Sequence, residues 1–167
     1  MTSLLLLLTL AAAPDAGGGP TLRLEGDLIK AATLGVKDLT ALPVVPLEWS
    51  DKQGKHTGPA VRLDTVLLQL GGFTEGAMGP QVNPKVKHEG LRAAVIAEAA
   101  DGFRAVFSMG ELLLTLGATS AWLVWEQDGK PLPPELGPFR LVVSTDKGAS
   151  RSIHQLTKLR VLDLRAR

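Results

Sequence analysis

Apolar and polar residues alternate in short stretches along most of the chain, and each stretch is closed by glycine, proline or an acidic turn residue. Leu22 and Leu24 alternate with Arg23 and Glu25, which predicts a half-buried strand ended by Gly26-Asp27. Val36, Leu39 and Leu42 then recur at helical spacing, with Thr33 as the expected cap and Pro43 as the stop. Val44 to Trp49 is apolar and reads as a strand, and Pro46, which has no N–H to give a neighbour, predicts that it is an edge or irregular one. Asp51 to Gly58 reads as a polar loop. Leu63, Val66, Leu67 and Leu70 share one face of a short helix that Gly71-Gly72 ends.

After a Gly/Pro-rich stretch from Gly76 to Pro84, Ala93 to Ala99 and Phe103 to Phe107 flank Asp101-Gly102, a strong hairpin signal. Ser108 and Glu111 have capping-box spacing, which predicts a brief helix through Leu116. Trp122 to Trp125 is expected to be a strand that turns at Asp128-Gly129, with its two tryptophans on opposite faces: one in the core, one a partly exposed wall. Arg140 to Val143 and Leu159 to Leu164 complete the strands, with a single helical turn expected in Ser150 to Leu156. Strands and short helices mix without the regular βαβ alternation of a parallel sheet, and no long repeat is visible. The pattern predicts a single α+β domain of mixed β-sheet with short helices.

The amino terminus departs from this pattern. Leu4 to Leu8 and Leu10 to Ala13 form an apolar run ending in Ala11-Ala12-Ala13, shorter than the ~20 residues that cross a bilayer. It reads as a removable signal peptide over 1–13 and a loose linker over 14–20, leaving the domain at 21–167 in the periplasm or secreted. No membrane span is expected after its removal; the alternative is a buried amino-terminal helix.

Composition narrows the chemistry. The 167 residues hold 18 basic and 17 acidic side chains, and a net charge of +1 argues against nucleic acid as the partner. There is no cysteine, which removes disulfides, thiolate metal sites and thiol nucleophiles. His56, His88 and His154 are far apart in sequence, so no metal site is expected from them. Ser108, Asp101 and His154 offer the residue types of a hydrolase triad, but no Gly-x-Ser-x-Gly elbow is present and Ser108 serves better as a cap. Arg140 interrupts the apolar run Phe139 to Val143. Two readings stand: a solvent-facing arginine on an edge strand, or a guanidinium holding an anion with Arg151 and His154 arriving from the next loop.

Several stretches, in order, resemble the molybdopterin-binding domain of sulfite-oxidase-like oxidoreductases in a small exported form. They are Leu34 to Pro43, Thr57 to Asp64 leading into Gly71-Gly72, Ala100 to Phe103, Asp128 to Leu132, Gly137 to Val143 and Arg151 to Leu159. The resemblance implies that fold over nearly all of Leu22 to Leu164 and places Arg140 at the pterin. It also places Ser152, Ile153 and His154 where catalytic members grip the cofactor phosphate, with His154 in place of a lysine. The candidate binding residues are therefore Arg140, Arg151, Ser152 and His154, with no catalytic or metal residue. Catalytic members ligate molybdenum through a cysteine on the strand matching Val44–Trp49, where this chain has Val44-Val45-Pro46-Leu47-Glu48-Trp49. A neutral methionine thioether is a poor substitute for that thiolate, and Glu48 would offer only an oxygen. The expectation is a non-catalytic module for a small anion or a pterin. The alternatives are a molybdopterin oxidoreductase with a non-cysteine ligand, or a periplasmic partner protein that docks through its Trp- and Pro-rich loops, including Pro131 to Pro134.

Overall fold

The computed structural model describes residues 19–73, 89–114, 116–117 and 119–164. The expected signal peptide at 1–13, residues 14–18 of the expected linker, the Gly76 to Pro84 stretch and His88 lie outside the described residues.

Two sheets make the body of the molecule. The first has five strands in the order β2 (Ala32–Leu34), β1 (Leu22–Gly26), β11 (Leu156–Asp163), β5 (Ala93–Ala99) and β6 (Arg104–Ser108). β1 and β11 are parallel, and the other neighbours are antiparallel. The second is an antiparallel sheet in the order β10 (Arg140–Val143), β7 (Ala121–Val124), β4 (Gly54–Arg62) and β3 (Val45–Asp51). A small hairpin, β8 (Glu126–Gln127) and β9 (Lys130–Pro131), turns at Asp128-Gly129, both with positive φ. Few short helices accompany the sheets: α1 (Val36–Thr40), α2 (Leu63–Thr65), which runs on as a π-turn over Val66–Leu70, and α3 (Met109–Leu112). The α+β, mixed-sheet expectation holds.

The alternation in the strands explains the main core. Leu22 and Leu24 of β1, Val95 and Ala97 of β5, and Leu159 and Val161 of β11 are buried against Val61, Leu123, Leu141 and Val143 from the second sheet. Burying such side chains is worth roughly 1.5–3 kcal/mol each, which sets the register of every strand. Trp125 is in this core and Trp122 is a partly buried wall, as the strand period requires.

The second sheet is covered on its outer face too. There Trp49, Ala60, Val124 and Val142 pack with Leu132 and Leu136 of the loop after β9. All four residues of β10 are consequently buried, Leu141 and Val143 toward the main core and Arg140 and Val142 toward this second cluster. Arg140 is only 2% exposed, which corrects the solvent-facing reading although β10 is an edge strand.

Local differences from the sequence expectations have plain causes. Thr33 is in β2, and α1 begins after Gly35, whose N–H donates to Asp38 Oδ2 at 2.8 Å. The capping box at Ser108 and Glu111 forms with both bonds present, but α3 ends at Leu112 and does not reach Leu116. Asp51 to Gly58 is no loop: it turns at Lys52-Gln53 and runs straight into β4. The helical turn expected in Ser150 to Leu156 is a 3₁₀ turn at Ala149–Arg151, and the last strand starts at Leu156.

Candidate ligand-binding site

The site is built where the β3–β4 hairpin curls over the outer face of its own sheet. β3 and β10 are the opposite edges of that sheet, yet Asp51 at the end of β3 reaches Arg140 at the start of β10. Residues opposite one another in an antiparallel pair share a face. The pairing of Trp49 with His56 therefore puts both on the face that carries Arg140.

Gly58 makes the curl possible. A Cβ there would collide with the Glu126 backbone oxygen and crowd the Trp49 ring at 3.2 Å, so only glycine lets β8 approach β4. The β8–β9 turn is then fixed by reciprocal bonds: Asp128 N–H donates to Thr57 O at 2.7 Å, and Thr57 N–H donates to Asp128 Oδ1 at 3.0 Å.

Four ionisable side chains follow in a row across this surface. Asp128 Oδ2 is 2.8 Å from His56 Nδ1, His56 Nε2 is 3.2 Å from Asp51 Oδ1, and Arg140 Nη1 donates to Asp51 Oδ2 at 3.1 Å. An ionised carboxylate only accepts, so the two contacts are both hydrogen bonds only when each ring nitrogen of His56 carries a proton, that is, as an imidazolium. The bond to Asp128, outweighing partial burial, holds the His56 pKa above its ordinary value, with Asp51 adding to the effect. Burial opposes ionisation of Asp51, but the Gln53 N–H, Arg140 and His56 together hold its carboxyl below the usual range. His56 likewise lowers Asp128.

Arg140 lies over the Trp49 ring at 5.8 Å from its centroid. Its Nε is buried and finds no acceptor among the described residues, and neither does the buried Trp49 Nε1. Arg140 forms part of the wall of two adjoining clefts. One, of about 360 Å³, is bounded by Trp49, Ser50, Arg140, Ser152 and the loop carrying Asp146 and Lys147. The other, of about 610 Å³, is bounded by Asp51, Lys52, Leu136, Arg140 and His154. A third hollow of about 570 Å³ lies beyond Trp49, against Glu48, Lys55, His56 and Asp128.

Of the residues expected from sequence, Arg140, Ser152 and His154 come together around these clefts. Ser152 Oγ also accepts from Val143 N–H at 3.0 Å and ties the final loop to β10. His154 stands on the open rim, its pKa held below the ordinary value by partial burial and by Arg140. Arg151 turns elsewhere: Asp146 at 2.7 Å and Glu111 at 3.3 Å hold its guanidinium, which lies 4.9 Å over the Phe107 ring. Glu48 is exposed, and the described residues contain no group of three His, Asp or Glu arranged to hold a metal ion. Ser108 is used as a helix cap and Asp101 in its own turn, so no triad forms. Trp49, Asp51 and His56 were not expected in the site; the one signal for them is the unusual density of polar and aromatic residues from Glu48 to Thr57.

No family model matches the chain, and no curated protein matches it either. Among solved structures it is similar to the sulfane dehydrogenase SoxCD from Paracoccus pantotrophus, with a TM-score of 0.61 and 18% identity. The match covers 86% of this chain and 38% of that one, so the chain spans well under half of that protein's length. The likeness is one of fold, and it agrees with the expected sulfite-oxidase-like architecture.

Proposed function

We propose that this chain is a non-catalytic ligand-binding module of sulfite-oxidase-like fold that takes a small oxyanion in the cleft at Arg140. The observation that carries the reading is the pair of buried N–H donors, Arg140 Nε and Trp49 Nε1, with no acceptor among the described residues. Leaving such a donor unpaired costs about 1–3 kcal/mol, and native proteins rarely do so without a reason. Trp49 and Arg140 both line the cleft of about 360 Å³, where an oxyanion would bring acceptor oxygens to a wall rich in unanswered donors. Lys52, Lys147 and His154 at the rims add positive or hydrogen-bonding groups on the approach.

The resemblance brings molybdopterin into question, and the two halves of that cofactor fare differently. A thiolate-held molybdenum does not fit a chain with no cysteine, whose strand at the expected position offers Glu48 and Trp49. No reaction step is therefore assigned through it. The phosphate of a pterin presents the same oxyanion chemistry as a free anion, so the donors at Arg140 suit either. The module is read as exported on the strength of the Leu4 to Ala13 run.

Calorimetry with inorganic sulfate and, separately, with a phosphorylated pterin tests the reading. Arg140→Ala is expected to weaken binding by about 1.5–3 kcal/mol, the range for a hydrogen bond to a charged group. Equal affinity in parent and variant removes Arg140 from the site. Near-stoichiometric molybdenum in protein from a molybdate-replete host overturns the non-catalytic reading.

A further inference from the structure

We infer that His56 couples this site to protons, so that the anion binds together with a proton held between Asp51 and Asp128. The inference rests on the reading of the Arg140 cleft as an anion site and names what regulates it. The geometry carries it. Asp51 is one carboxylate divided between two cations, with Oδ1 toward His56 and Oδ2 toward Arg140. With His56 protonated, the row Asp128, His56, Asp51 and Arg140 carries two negative and two positive charges. Remove the ring proton and the row becomes net negative; one ring nitrogen then meets a carboxylate oxygen with no hydrogen between them. Arg140 is then the one cation left to Asp51 in the row, and the carboxylate offsets the charge an incoming anion would feel.

The other ionisable groups around His56 do not provide this response. Lys55 and Glu48 share its hollow and Lys52 and Lys147 line the neighbouring clefts; among such side-chain types only histidine ordinarily changes charge near neutral pH. His154, next to Arg140, is held below its ordinary value and titrates at lower pH than His56. Linkage makes the coupling reciprocal: whatever factor the proton adds to anion affinity, the anion adds to proton affinity at His56.

The test is inorganic sulfate, whose charge is constant over the range, titrated into the full chain by calorimetry from about pH 6 to about pH 9. Sulfate affinity of the parent is expected to fall at least about fivefold, the low end for coupled sites. Proton uptake on binding should show as a dependence of the heat on the buffer's ionisation enthalpy. His56→Gln should abolish both the pH slope and the proton uptake. In the parent, NMR titration of the His56 ring should show its pKa rising when sulfate is added, a readout independent of any variant's folding. A slope that persists in His56→Gln, or a ring pKa unmoved by sulfate, overturns the coupling and leaves the anion site standing. No sulfate binding at any pH overturns both.

Discussion

Asp51 accepts from the Gln53 N–H, His56 and Arg140 at once, and it is the only counter-charge the buried Arg140 guanidinium has among the described residues. Removing one partner of a buried pair costs more than the pair contributes, because the remaining charge is left desolvated. Asp51→Ala is therefore expected to destabilise the domain by about 3 kcal/mol or more, read as a fall in the urea midpoint. Arg140→Met should cost less, since Asp51 keeps its other two donors and is nearer to solvent; equal losses would show that the two do not act as a pair. In sequence, Arg140 announced itself as a charge inside an apolar run. Asp51 and His56 did not, because their roles come from a strand register and a curl that bring together positions far apart in the chain. In the sequence His56 is one of three scattered histidines, and only the fold gives it two carboxylates.

At the scale of elements, the parts with local chemistry were readable. Asp101-Gly102 and Asp128-Gly129 turn where they should, the Ser108–Glu111 box closes, and Pro46 lies on an edge strand. The first half of β4 was hidden because Lys55 to Gly58 packs against the polar site and the β8–β9 turn, so no apolar alternation marks it. β2 was hidden for another reason: three residues become a strand only by pairing with β1. The hairpin curl depends on Gly58, and Gly58→Ala is expected to destabilise by about 1–3 kcal/mol, as overpacking does. It should also loosen the Asp128–His56 contact, seen as a His56 ring pKa drifting back toward its ordinary value. A variant that melts with the parent and keeps that pKa would show that β8 has room to spare.

For the whole molecule, charge pairing sets the pH range of greatest stability. Asp51, Asp128 and Asp146 are all held below the ordinary aspartate value, so their contribution is complete above it and lost as pH falls through their lowered values. His56 has the opposite sign: its contribution is present below its ordinary value and fades as pH rises through the raised one. Thermal melts across pH should show a steep loss below about pH 4 and a shallower one on the alkaline side that His56→Gln removes. An unchanged alkaline limb in that variant would assign the loss to other groups. Acting on the same body is its strand order, in which β11 lies between β1 and β5. Of the described strands β1 comes first in sequence, and the place beside it in the sheet is filled by residues 156–163. A chain still emerging from the ribosome has no way to close this sheet early, and a premature stop ahead of Leu156 would leave two unpaired edges in the middle of the molecule, an invitation to aggregate.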